Sequence, residues 1–127
     1  MKITPLTVAL VAILTYPLSS AFAEDGTTAE RSPGDMTVDE RRQMMEVASK
    51  YDNCVYSEAM ASIGNHQDIR AVADFALGEC SEKLQDLEGL ITGWGMPDGY
   101  AQSFSNRIRQ RATRKLLPEL AIRKAGG

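Results

Sequence analysis

The sequence predicts an all-α fold, a small bundle of three or four helices with one disulfide joining the first two. Three observations predict it. Apolar residues recur at steps of three and four along most of the chain after residue 37. No alternating strand pattern is longer than four residues, and the two cysteines fall on consecutive predicted helices. A chain of this length forms one domain with a modest core.

The first 23 residues have the layout of a cleavable signal peptide. Lys2 gives a positive start, residues 6–16 are mostly apolar, and the Ala-Phe-Ala triplet at 21–23 fits a small-x-small cleavage site. The apolar run of roughly ten residues is about half the length that a membrane-spanning helix needs. We therefore expect cleavage after Ala23 and a periplasmic or secreted protein without a membrane span.

Residues 24–36 are predicted to form a flexible leader. They are polar, contain Gly26, Pro33 and Gly34, and show no periodic apolar pattern. The helical domain is then expected over residues 37–125.

The first predicted helix begins at a capping box and ends near Ile63. Thr37 and Glu40 have the spacing at which each side chain satisfies a backbone N–H group of the other residue. Gly64 follows the helix and suits a helix C-terminus. The apolar face before it consists of Met44, Ala48, Tyr51, Val55, Ala59 and Ile63.

A second helix is predicted to run without a break from Asn65 or Asp68, either of which can cap it, to Gly93. Gly78 weakens its middle by about 1 kcal/mol relative to Ala. The glycine-rich residues 93–99 then form a loop. The apolar face of this helix consists of Ile69, Ala73, Ala76, Cys80, Leu84, Leu87 and Ile91.

A third helix follows the loop. Pro118 lacks a backbone N–H group and clashes with the preceding turn, so we expect it to end or kink this helix near Leu117. Residues 119–124 add at most a further short turn. The apolar stripe of the third helix consists of Tyr100, Phe104, Ile108, Ala112 and Leu116.

Cys54 and Cys80 are the only cysteines of the chain. In an exported protein such a pair usually oxidises to one disulfide. In a strictly antiparallel helix pair the two positions would be offset by about 7 Å, so the disulfide needs crossing helices or a later start of the second helix. Two buried free thiols are the alternative. A catalytic redox pair is disfavoured because the Cys-x-x-Cys spacing is absent.

No arrangement of residues predicts catalysis or ligand binding. His66 is the only histidine and has no cluster of other ligands at metal-binding spacing. Ser57, Ser62 and Ser81 lie outside any Gly-x-Ser-x-Gly elbow. No glycine-rich phosphate loop is present. We therefore predict a protein that is not an enzyme and has no cofactor and no metal.

Charge is unevenly distributed along the chain. Residues 24–98 carry 16 acidic and 6 basic side chains, whereas residues 99–127 carry 7 basic and 1 acidic. The favoured interpretation is that the two parts attract each other within one fold. The alternative is a basic helix that binds an acidic partner or, less favoured, an anionic lipid surface. The acidic isoelectric point, about 5.1, and the predicted export disfavour nucleic acid.

The candidate residues for partner binding lie on the third helix and in the loop before it. Trp94, flanked by glycines, is either an anchor for a partner or, as we favour, a lid on a small core. The candidates are Trp94, Arg107, Arg111, Arg114 and Lys115.

These observations predict an exported, non-enzymatic helical protein that acts through contact with an unknown protein partner. One alternative is a periplasmic acid-stress chaperone, a class with a similar general layout but with no motif that matches this chain. A second alternative is an inhibitor or immunity protein that binds a toxic enzyme.

Overall fold

The computed structural model describes residues 30–126, so the predicted signal peptide and residues 24–29 of the predicted leader lie outside the described residues. Within this range the chain has four α-helices, two 3-10 turns and no strand. The all-α prediction is confirmed. The helices are α1 (Val38–Ser62), α2 (Ile69–Glu79), α3 (Ser81–Gly93) and α4 (Asp98–Gly126), and the 3-10 turns are Pro33–Asp35 and Ile63–Asn65.

Helix α1 begins at the predicted capping box. The Thr37 hydroxyl accepts a hydrogen bond from the Glu40 backbone N–H at 3.1 Å, and the Glu40 carboxylate accepts one from the Thr37 N–H at 2.8 Å. Two otherwise unpaired donors at the start of the helix are thereby satisfied. The predicted apolar stripe faces the core, where Met44, Ala48, Tyr51, Val55 and Ala59 are buried.

The predicted second helix is two helices, because the chain bends at Cys80. The backbone N–H of Cys80 closes α2 by donating to the Ala76 carbonyl at 3.2 Å, and its carbonyl accepts from the Lys83 N–H at 3.1 Å at the start of α3. Buried residues from both helices belong to the same core. The buried residues are Val72, Ala73, Ala76 and Leu77 on α2, and Leu84, Leu87 and Ile91 on α3.

The disulfide between Cys54 and Cys80 is present and joins α1 to the bend between α2 and α3. The Cα atoms lie 6.0 Å apart, within the range that a disulfide spans. Two features remove the expected offset: α2 is capped by Asp68 rather than Asn65, and Cys80 lies at the bend rather than along a straight helix.

Helix α4 continues through Pro118 to Gly126, so the helix does not end near Leu117 and residues 119–124 are part of it rather than a separate short turn. Because Pro118 has no N–H group, the Arg114 carbonyl loses its helical hydrogen bond. Both residues are exposed, so this carbonyl can face solvent. Leu116 and Leu120, one on each side of it, are 3% and 0% exposed. Their burial in the same core holds the helix together across the proline.

The folded part of the chain begins before Thr37. The backbone N–H of Arg31 donates to the Gly95 carbonyl at 2.9 Å, and Met36 is buried in the core. Residues 31–36 thus pack against the loop between α3 and α4, and the predicted leader is shorter at this end. Within residues 30–126, no helix is both long and apolar enough to cross a membrane.

Candidate functional site

Four of the five candidate binding residues lie together on α4. Arg107, Arg111, Arg114 and Lys115 line one shallow groove of about 530 Å³ with Phe104 and Ile108. Residues three, four and seven positions apart share one side of a helix, which explains why these side chains meet. We call Phe104, Arg107, Arg111, Arg114 and Lys115 the α4 basic face.

The α4 basic face is tied to the acidic part of the chain at one point. Asp52 of α1 contacts Arg111 (Oδ2 to Nη2, 3.4 Å) and Lys115 (Oδ2 to Nζ, 3.8 Å). Among residues 30–126 these are the only ion pairs between α4 and another helix. The expected attraction between the two parts of the chain is therefore realised only at Asp52.

The contacts at Asp52 leave buried polar atoms without partners. Asp52 Oδ1 and Arg111 Nε are buried, and neither makes a hydrogen bond to any residue in the described part of the chain. The 3.4 Å contact between the two side chains is also longer than a usual charge-assisted hydrogen bond. The pair therefore stabilises the packing of α1 on α4 only weakly.

Four arginines of α4 keep their charge exposed. The exposed arginines that make no ion pair within residues 30–126 are Arg107, Arg109, Arg114 and Arg123. Arg114 contacts only a backbone carbonyl of its own helix. Arg107 and Arg114 lie seven residues apart on the same side of α4, and their guanidinium groups are available to carboxylates from outside the chain.

Aromatic rings extend the α4 basic face toward the start of the helix. The guanidinium carbon of Arg107 lies 5.8 Å from the centre of the Phe104 ring, within the range of a cation–π contact. The Phe104 and Tyr100 rings lie 6.3 Å apart, centre to centre. Arg107 is thus oriented by a neighbouring ring while its charge stays exposed.

Trp94 lies apart from this surface. It is half-buried against the core and does not line the groove on α4. Its carbonyl accepts a hydrogen bond from Arg31 Nη1 at 2.9 Å, and Gly95 follows with a φ of +84° that favours glycine. These contacts favour the interpretation of Trp94 as a lid on the core over its interpretation as an anchor for a partner.

A second concave surface, missed by the sequence analysis, lies between α1 and α4. It is a cleft of about 480 Å³ with the exposed ring of Tyr56 at its edge. The residues that line this cleft come from two helices that are distant in sequence, so no local sequence pattern predicts it. The cleft is lined by Asp52, Asn53, Val55, Tyr56, Ala112, Lys115, Leu116 and Glu119.

His66 and Ser105 make contacts within the fold. His66 is half-buried in the connection before α2, with its ring 5.3 Å from that of Phe75, and its carbonyl accepts a hydrogen bond from Lys124. Ser105 is buried and donates to Glu88 at 2.6 Å. Within the described range, no group of three His, Cys, Asp or Glu residues is placed to hold a metal ion.

Burial raises the pKa of Tyr51, the fully buried residue next to Asp52, and thus favours the neutral phenol. The negative charge of Asp52 raises this pKa further, while Arg109 lowers it. The phenol makes no hydrogen bond within the described residues. Tyr51 therefore contributes to packing beneath the contact between α1 and α4.

Comparisons with protein-family models, with curated proteins and with solved structures find no match for this chain.

Proposed function

We propose that this chain is an exported, non-enzymatic binding protein that holds an acidic protein partner on the α4 basic face. The observation that carries the proposal is the exposed state of Arg107 and Arg114, neither of which pairs with a carboxylate within residues 30–126. Cations that only had to stabilise the fold would lie against the chain's own acidic residues, which outnumber them.

The acidic side chains of the other helices support this interpretation. Glu79 at the end of α2 and Glu82 and Asp86 on α3 are exposed and make no ion pair within the described part of the chain. Opposite charges therefore remain separated on the surface of one small domain. Such a distribution steers a partner toward one side of the molecule and repels it from the other.

The test is affinity purification from the native host with the wild-type chain and two charge-reversed variants. Arg107→Glu with Arg114→Glu changes the α4 basic face. Lys50→Glu with Arg70→Glu changes the net charge equally at exposed positions on α1 and α2. We expect one protein to be recovered with the wild type and the Lys50/Arg70 variant but not with the Arg107/Arg114 variant.

Recovery of the same protein with both variants would overturn the proposal. Circular dichroism of each variant shows that the helices are intact, so that loss of binding is not loss of folding. The identity of the recovered protein then distinguishes an inhibitor of a toxic enzyme from other binding proteins.

A further inference from the structure

Helix α4 carries a second regular stripe besides the one that faces the core. Its members recur at steps of four, three, four and three residues, the spacing of contact positions along a helix–helix seam. At 1.5 Å per residue the stripe extends over about 21 Å. We call it the seam stripe, and it consists of Tyr100, Phe104, Arg107, Arg111 and Arg114.

The seam stripe is distinct from the core stripe and remains accessible. The core stripe of α4 consists of other residues, all of them buried. Arg107 and Arg114 of the seam stripe are exposed, and Tyr100, Phe104 and Arg111 are half-buried. The two rings also pack against the edge of the core, so only part of each ring is open to a partner. The groove along its second half is lined by residues of α4 alone, so it is open to an element from outside the chain.

The seam stripe changes in chemistry along its length. Its first two members are aromatic and its last three are arginines. An element lying along it would meet an apolar surface at one end and three guanidinium groups at the other.

We infer that the acidic partner contacts this chain through an amphipathic helix lying along the seam stripe, with apolar side chains on the two rings and carboxylates on the arginines. The inference depends on the proposed function, since it specifies which element of that partner binds. A second helix repeats its side chains with the same period and height per residue as α4, so contacts stay in register over the whole stripe.

An extended peptide would not stay in register. Its side chains on one side recur about every 6.6–6.8 Å, whereas seam positions recur on average about every 5.2 Å. The mismatch reaches several Å after four contacts. A second copy of this chain is also disfavoured at this face, because Arg107 would approach the same residue of the other copy in a symmetric antiparallel pair.

The test is a binding titration with two labelled peptides of about five turns and identical composition. The helical peptide carries two Leu and three Glu on one face at the seam spacing, with Ala and Gln elsewhere. The shuffled peptide has the same residues with no such face. We expect the purified chain to bind the helical peptide at least about tenfold more tightly, as measured by fluorescence anisotropy.

Equal binding of the two peptides would overturn the inference, because the surface would then recognise charge alone, while the proposed function would stand. Failure of the helical peptide to bind, or equally strong binding to vesicles of anionic phospholipid, would overturn it as well. The host purification described above tests the proposed function separately.

Charge-reversed variants of the chain test whether the helical peptide binds at the seam stripe. Arg107→Glu with Arg114→Glu should weaken binding of the helical peptide at least about tenfold, whereas Lys50→Glu with Arg70→Glu should leave it within about twofold. Both pairs are exposed, so neither is expected to disturb folding. An equal loss with both variants would place the peptide elsewhere and overturn the inference.

Discussion

Arg31 links the first turn of α1 and the chain before it to a loop that is distant in sequence. Its guanidinium group donates to the Glu40 carboxylate at 2.8 and 3.1 Å and to the carbonyls of Trp94 and Asp35, both at 2.9 Å. These contacts connect the chain before α1, the first turn of α1 and the loop before α4. A single side chain thus holds the half-buried Trp94 loop against the start of the domain.

The same contacts lower the pKa of Glu40 to about 2, first through the hydrogen bonds from Arg31 and next through the backbone N–H of Thr37. A carboxyl group whose pKa is lower in the folded state stabilises the fold at pH values above its unfolded pKa, ordinarily near 4.5. This contribution decreases as the pH falls from there to about 2.

Replacing Arg31 with Gln should raise the pKa of Glu40 toward its ordinary value, because the largest cause of the shift is removed. An NMR titration of the Glu40 carboxyl carbon measures this directly. The difference in unfolding free energy between wild type and Arg31→Gln should be present at neutral pH and decrease between about pH 4.5 and 2.

Arg42→Gln is the matched control, since Arg42 makes exposed contacts with Asp39 and Glu46 on the same helix. It should leave the pKa of Glu40 unchanged. An unchanged Glu40 titration in Arg31→Gln would contradict the role assigned to Arg31.

At the scale of the helix, α4 shows that packing outweighs local propensity. A proline inside a helix removes one hydrogen bond and introduces a steric clash, which costs about 3 kcal/mol. Burial of Leu116 and Leu120 on either side of Pro118 offsets that cost, since each fully buried leucine contributes about 1.5–3 kcal/mol.

Pro118→Ala should therefore stabilise the protein by about 1–3 kcal/mol, because the missing N–H group is restored at an exposed position. For a domain of this size the melting temperature should rise by about 4–8 °C per kcal/mol. Thermal unfolding followed by circular dichroism measures the change.

Pro97→Ala is a control of opposite sign. Pro97 lies just before α4, and its carbonyl accepts hydrogen bonds from the backbone N–H groups of Tyr100 and Ala101. At this position the helix does not use the N–H group that proline lacks. Alanine there should lower stability slightly, by up to about 1 kcal/mol, because the unfolded chain gains freedom. A lower melting temperature for Pro118→Ala would show that the proline is favourable within α4.

The disulfide acts between helices. It closes a segment of 26 residues, for which the chain-entropy relation gives a stabilisation of about 3.5 kcal/mol. Cys54→Ala with Cys80→Ala, or reduction of the wild type, should therefore lower the melting temperature by more than about 10 °C. A reductant should have no further effect on the double variant, and a shift of only a few degrees would contradict this role.

At the scale of the whole molecule, apolar packing rather than charge pairing holds α4 in place. Its buried side chains include Ile108, Ala112, Leu116 and Leu120, whereas its ion pairs to other helices within residues 30–126 all involve Asp52. Protonation of the acidic residues therefore removes little of what binds α4 to the bundle.

We expect the far-UV circular dichroism of the oxidised chain at pH 3 and moderate ionic strength to retain about nine tenths of its helical signal. Most carboxyl groups are protonated at this pH, while the low pKa of Glu40 keeps its contact with Arg31. Loss of most of the helical signal, together with protection of an aggregating client protein, would instead favour the acid-stress chaperone alternative.

Several features of the molecule were predictable because they depend on neighbours in sequence. The capping box at Thr37 and Glu40, the helical class and most of the apolar stripes follow from short-range spacing. At the start of α4 the prediction was off by one position, since Ala101 and Ser105 are buried and Tyr100 and Phe104 are half-buried. The pairing of Cys54 with Cys80 follows from their being the only two cysteines. The grouping of four basic side chains on one side of α4 has the same origin, since helical periodicity determines which residues share a face.

Only the tertiary structure decided the bend at Cys80, the continuation of α4 past Pro118 and the contacts of Arg31. It also decided that Arg107 and Arg114 remain exposed although the chain has an excess of acidic residues. Each of these outcomes depends on which side chains from distant parts of the chain meet in the core. The free energy of that packing is larger than the local conformational propensities on which a prediction from sequence depends.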